Sequence, residues 1–119
     1  MTILFVEDHA DTRQAIRMWL EMKGHSVVEA QDVQSALAAA VRPFDLLLCD
    51  IGLPDGDGWS LLKALRRERS ISALAISGYS SRADVARSKA AGFVAHLPKP
   101  FSGEEFEAAL AVIGSQPKQ

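Results

Sequence analysis

Apolar residues along this chain gather into short, nearly unbroken runs, separated by stretches where they recur at helical spacing. The runs are Ile3-Leu4-Phe5-Val6, Val27-Val28, Leu46-Leu47-Leu48-Cys49, Leu74-Ala75-Ile76 and Phe93-Val94-Ala95-His96-Leu97. Runs that lack a polar residue at every second position suit strands covered on both faces. Strands are expected over 2–7, 26–29, 45–49, 74–77 and 93–97. Between them, Asp11 is placed to cap a helix whose apolar positions Ile16, Trp19, Leu20 and Met22 repeat helically until Gly24 stops it. Asp32 caps an alanine-rich helix through Ala40, which Arg42-Pro43 ends. Gly58 to Arg66 opens a third helix, 81–91 a fourth stopped by Gly92, and 103–113 a fifth. Ser102 and Glu105 have capping-box spacing at the start of the last. From Gly114 onward the wording is that of a tail.

Five β-α units imply an α/β fold, a doubly wound five-stranded parallel sheet with helices on both faces and right-handed crossovers. The flavodoxin-like order 2-1-3-4-5 suits five strands, and its ligand crevice lies outside the carboxyl ends of strands 1 and 3. The 119 residues fit one domain, read as 1–114 with 115–119 a tail or linker stub. With 48% hydrophobic and 24% charged residues, the composition is that of a globular domain. A net charge of −2 gives no footprint for nucleic acid, and Arg66-Arg67-Arg69, diluted by Glu68, reads as a solvated helix face. The lone Cys49 sits in an apolar strand as a small core residue, which suits a reducing compartment. No run approaches the roughly 20 apolar residues needed to span a bilayer. A cytoplasmic domain that does not enter the membrane by itself is expected.

The chemistry lies at the strand ends. Glu7-Asp8 follows strand 1, Asp50 closes strand 3, Ser77 closes strand 4 and Lys99 follows strand 5. A flavin phosphate would need hydroxyls and glycines after strand 1, where Glu7-Asp8-His9 would repel it. Crowded carboxylates instead ask for a hard divalent cation such as Mg²⁺, which takes oxygen ligands and a phosphoryl group. Asp50 is then a plausible nucleophile for an aspartyl phosphate. Phosphoryl transfer further needs a cation and a hydroxyl, roles that Lys99 and Ser77 fit.

This set resembles the receiver domain of two-component response regulators along essentially the whole chain. The acidic pair matches Glu7-Asp8, the phosphoacceptor matches Asp50 in Cys49-Asp50-Ile51-Gly52-Leu53-Pro54, the hydroxyl residue matches Ser77 before Gly78, and the lysine matches Lys99-Pro100-Phe101. The resemblance implies a metal site of Glu7, Asp8, Asp50 and the Gly52 carbonyl, with Asp8 the more direct ligand of the acidic pair. It also implies a cis peptide before Pro100, and a phosphoryl donor that is a histidine kinase or a histidine phosphotransfer protein. Such a domain promotes its own phosphorylation and dephosphorylation but is not an enzyme in isolation. Phosphorylation is expected to shift the Ser77 loop, helix 81–91 and strand 93–97. His96 stands where the family carries an aromatic switch residue, and equally suits a histidine at a strand edge facing solvent. Gly52 and Tyr79 occupy the positions that bear on phosphoryl lifetime, and neither orients an attacking water, so slow hydrolysis is expected. Gly92-Phe93-Val94-Ala95-His96-Leu97-Pro98-Lys99-Pro100 resembles receivers of hybrid histidine kinases. A monomer or weak dimer without nucleic-acid contacts completes the expectation.

Other readings attach to the same residues. A Mg²⁺-dependent phosphatase with an aspartyl intermediate would want an aspartate where Gly52 stands, and a pseudo-receiver interaction module would lack an acid or the lysine. Ser77 also suits a structural cap. Asp55 and Asp57 read as turn residues, since the loop lacks calcium-loop spacing. His9 and His25 read as surface or loop residues without partners at ligand spacing. Trp19 and Trp59 read as core.

Overall fold

The computed structural model describes residues 1–78 and 81–115. Five parallel strands form one sheet: β1 (Thr2–Val6), β2 (Ser26–Ala30), β3 (Leu46–Asp50), β4 (Ser72–Ser77) and β5 (Ala95–Pro98). Their spatial order is β2-β1-β3-β4-β5, the order expected from the sequence. A two-residue antiparallel ladder, Gly52–Leu53 with Gly56–Asp57, folds the chain back just after β3.

Strand alternation divides the core into two layers. Leu4, Val6, Leu47, Cys49, Ala73 and Ala75 face one side, against Ala36 of α2 (Val33–Ala39), Leu61, Leu62 and Leu65 of α3 (Gly58–Arg66), and Ala91 of α4 (Arg82–Ala91). Ile3, Phe5, Leu46, Leu48, Leu74 and Ile76 face the other, against Leu20 of α1 (Ala10–Met22) and Phe106 and Ala109 of α5 (Gly103–Ser115). Every residue of β3 is buried, which is why its sequence shows no polar alternation. Trp19 stands edge-on to Phe106 at 5.3 Å between ring centroids, a favoured aromatic geometry that ties α1 to α5.

Several element ends follow the expected signals. Asp32 and Ser35 form a capping box at α2, the Ser102 N–H donates to the Glu105 carboxylate and the Glu105 N–H to the Ser102 hydroxyl at α5, and Gly92 closes α4 with φ of 112°. Others differ. Helix α1 begins at Ala10 with His9 as its N-cap, so Asp11 lies inside the first turn, where its charge favours the amino-terminal end of the helix dipole. Strand β4 starts at Ser72, two residues earlier than the apolar run indicates, because it continues to pair with Leu46 and Leu47 of β3. Strand β5 starts at Ala95; before it, the Phe93 N–H bonds to Ser88 and the Val94 N–H to Ala73. Helix α5 runs on through Gly114 to Ser115 instead of ending at 113.

Asp55 and Asp57 do more than fill a turn. The Asp55 carboxylate accepts the Val33 and Gln34 N–H groups at 2.7 and 3.0 Å, tying the loop after β3 to the start of α2. Those bonds hold its pKa below the ordinary range. Asp57 caps α3 through the Ser60 N–H at 2.7 Å.

Gly58 opens α3 against the floor of the site. A Cβ there would lie 2.9 Å from the Asp50 carbonyl oxygen, 3.1 Å from Ile51 and 3.2 Å from Cys49. Gly58→Ala should therefore lose stability: overpacking of about 1–3 kcal/mol outweighs the helix-propensity gain of roughly 0.5–1 kcal/mol. A urea midpoint at or above the parent's would contradict the close packing.

Candidate functional site

Parallel pairing in register gathers the strand ends. Val6 pairs with Cys49, Cys49 with Ala75, and Ala75 with His96. One residue further along, Glu7 comes beside Asp50. In the next layer Ser77 pairs with Pro98, and the chain reaches Lys99, whose N–H donates to the Ser77 carbonyl at 2.9 Å. Residues nearly a hundred positions apart thus share one rim.

Three of the expected site residues are in direct contact. The Lys99 ammonium donates to Asp50 Oδ2 at 2.6 Å and to Glu7 Oε1 at 2.8 Å. Glu7 is fully buried and Asp50 is 5% exposed. The remaining oxygens are also engaged: Asp50 Oδ1 accepts the Gly52 N–H at 3.0 Å, and Glu7 Oε2 accepts the His9 N–H at 3.1 Å. Arg13 reaches the Glu7 carbonyl at 2.8 Å and braces the β1–α1 turn. The peptide between Lys99 and Pro100 is cis.

Burial pushes the Glu7 carboxyl above its ordinary range, and the Asp50 charge adds to this, while the Lys99 and His9 hydrogen bonds pull the other way. Burial alone would lower Lys99, but its bonds to Asp50 and Glu7 outweigh it and hold the ammonium above the usual lysine value. Cys49, fully buried and near Asp50, Glu7 and Asp57, has its thiol pushed far up and is not a nucleophile at neutral pH.

Asp8 lies at the rim with its side chain 30% exposed, and its Oδ1 is a buried oxygen with no hydrogen-bond partner among the described residues. Glu7, Asp8 and His9 each offer a ligand atom within 4.8 Å of the others. His9 therefore stands beside the acids, with Nδ1 at 3.5 Å from both Glu7 and Asp8. This corrects the reading of His9 as a residue without partners at ligand spacing; a loop, not a helix, brings adjacent residues together. An orphaned hard oxygen amid carboxylates fits a hard divalent cation.

Ser77 is buried at the end of β4. His96 is half-buried one strand away, with Nδ1 at 2.7 Å from Ser88 Oγ of α4. Ser88 is itself fully buried and accepts the Trp59 indole N–H at 2.9 Å. Trp59 is thus partly core and partly a polar link. Ser88 escaped the sequence reading; its signal was a serine at an inward position of a helix with few apolar residues. Tyr79 lies outside the described residues. His25 is set by Met1, whose amino group lies 3.2 Å from Nδ1.

A domain with this fold and this rim belongs to a recognisable class. The profile of the response regulator receiver domain matches residues 3–111, and the chain belongs to that family. The KDP operon transcriptional regulatory protein KdpE of Escherichia coli is 38% identical over 111 residues, covering 92% of this chain and 49% of that protein. The phosphate regulon transcriptional regulatory protein PhoB of Klebsiella pneumoniae is 35% identical, covering 93% and 50%. The chain spans about half the length of these curated relatives. Among solved structures, a two-component response regulator from Clostridium difficile superposes with a TM-score of 0.90 at 25% identity, covering 99% of both chains. The chemotaxis response regulator CheY4 of Vibrio cholerae does so with a TM-score of 0.82 at 28% identity, covering 93% of this chain and 97% of that one. No helix among the described residues is long and apolar enough to cross a membrane.

The raised pKa values set the pH response. A folded-state pKa above the unfolded one means that Glu7 favours the folded chain at acid pH and loses that contribution as pH rises through its raised value. Lys99 contributes below the ordinary lysine pKa and loses this as pH rises through its own raised value. Lys99→Met removes a charge that lowers Glu7, so the Glu7 carboxyl, followed by ¹³C NMR, should titrate at higher pH than in the parent. An unchanged or lower midpoint would show that Lys99 does not lower the Glu7 pKa.

Proposed function

We propose that this receiver domain accepts a phosphoryl group on Asp50 from a histidine kinase or a histidine phosphotransfer protein, in a Mg²⁺-dependent step. The observation that carries the reading is the Lys99 ammonium 2.6 Å from a buried Asp50 at the carboxyl end of the central strand, in a chain of this family. The Asp50 carboxylate attacks phosphorus, an O–P bond forms, the P–N bond of the phosphohistidine breaks, and the departing imidazole takes up a proton. Lys99 is the cation nearest to the oxygens on which charge develops, and it is already oriented by Glu7. The Ser77 hydroxyl serves as the second donor to the phosphoryl group.

Asp8, Asp50 and the Gly52 carbonyl would hold the metal, with Glu7 acting through water. Bound Mg²⁺ would offset the repulsion between an anionic donor and the carboxylates. The orphaned Asp8 oxygen supports that assignment. Gly52 supplies no side chain beside the phosphoacceptor, although a Cβ there would meet only Asp50 Oδ1, at 4.0 Å. Slow phosphoryl hydrolysis follows from that gap on the proposed reading, because nothing at this position orients a water.

The output is conformational. The Ser77 loop, α4 and β5 shift in population, with His96 as the moving ring. Its bond to Ser88 supports this role, since any swing of the ring must exchange that contact. The domain works in the cytoplasm through protein partners, does not act as an enzyme in isolation, and is a monomer or weak dimer that does not itself bind nucleic acid. KdpE and PhoB, the curated relatives named above, are transcriptional regulatory proteins and lend no support to an origin in a hybrid histidine kinase.

Incubation with acetyl phosphate and Mg²⁺ should add one phosphoryl mass to the intact protein, and Asp50→Asn should show none. A full mass shift in the variant, or none in the parent, would overturn the assignment.

A further inference from the structure

Away from the carboxylates, α3 and α4 leave between them an open cleft of about 590 Å³. Lys63, Arg66, Arg67 and Arg87 surround it, and no aspartate or glutamate among the described residues lines it. On a chain with net charge −2 this is a local concentration of the opposite sign. Arg13, Arg17 and Lys99 each have carboxylate partners. Lys63, Arg67 and Arg87 make no ion pair among the described residues. Unpaired like charges around one hollow repel each other and raise the potential inside it.

Two of these cations are already positioned. Arg66 donates to the Ile71 carbonyl at 2.8 Å and the Gly92 carbonyl at 2.9 Å, bridging the end of α3 to the end of α4. A Cβ at Gly92 would collide with its guanidinium. Arg87 lies 4.0 Å from the centroid of the Trp59 ring, and Ser88 fixes that ring through its indole N–H. Side chains ordered before binding reduce the entropy that a ligand must offset.

The lining also selects among anions. The Trp59 ring and the small Ala90 and Ala91 place apolar surface between the cations. A duplex would leave that surface unmatched, and a free phosphate would not reach across it. A peptide with carboxylates flanking an apolar side chain satisfies both. We propose that the α3–α4 cleft is a docking site for an acidic segment of a partner protein, its carboxylates on the four cations and an apolar side chain against Trp59. The proposal goes beyond phosphoryl transfer and is tested on the unmodified chain without phosphodonor or metal, so its failure would leave the Asp50 assignment standing.

The probe is a labelled twelve-residue peptide alternating glutamate and leucine, titrated into the full chain at low salt. Anisotropy follows binding, and the indole N–H signals of the two tryptophans report where it occurs. Saturable binding should shift the Trp59 signal and leave Trp19, on the opposite face of the sheet, unmoved. The double variant Lys63→Glu, Arg67→Glu alters two exposed side chains and should weaken binding at least tenfold, with an unchanged melting curve as the check on folding. A lysine-leucine peptide should not bind. The proposal is overturned if the Trp59 signal stays fixed, if the folded double variant binds as well as the parent, or if mixed-sequence duplex DNA moves the Trp59 signal at lower concentration than the acidic peptide.

Discussion

Everything at the rim depends on one ammonium shared by two buried carboxylates. The sheet register sets Glu7 and Asp50 side by side at the ends of adjacent strands and takes both out of water. Two carboxylates so placed would drive each other's protonation. Lys99, delivered by the last strand of the sheet, reaches both at hydrogen-bond distance and sets a positive charge between them. A buried charge without its partner is strongly destabilising, so the pair of acids and the amine stand or fall together. On the proposed reading the same arrangement sets the Lys99 cation against Asp50 before any donor arrives.

The sheet was legible because burial on both faces leaves a plain trace. Leu46 to Cys49 has no polar alternate, and only a covered central strand tolerates that. The strand-end position of Glu7, Asp50 and Lys99 followed from the same runs, and strand order then made them neighbours. Helix starts were harder. Asp11 carries a capping residue's side chain, yet α1 begins earlier because the Arg13 N–H bonds back to the His9 carbonyl at 2.8 Å. The roles of Asp55 and His9 depend on loop geometry, which has no periodicity to read. Asp55 finds Val33 and Gln34 across more than twenty residues, and only the fold brings them together.

Ser88 marks a different limit. Helix α4 lacks a continuous apolar stripe, and it docks through a buried hydroxyl that joins Trp59 of α3 to His96 of β5. A sequence pattern based on hydrophobic spacing is blind to such polar packing. The consequence is a hydrogen-bonded path from β5, the strand that leads to Lys99, to the cleft between α3 and α4. On the other side, Gly58 packs directly on the Asp50 backbone at the start of α3. The basic cleft is therefore tied to the end of β3 at Asp50 through α3, and to β5 at His96 through α4.

On the proposed reading Asp50 is the carboxylate that takes the phosphoryl group. Borohydride reduces an acyl phosphate to the alcohol, converting the modified aspartate to homoserine while leaving free carboxylates untouched. After reaction with acetyl phosphate and Mg²⁺, reduction and peptide sequencing by mass spectrometry should find homoserine at position 50 alone. Reduction at Glu7, Asp8 or Asp57 in place of Asp50 would contradict the account.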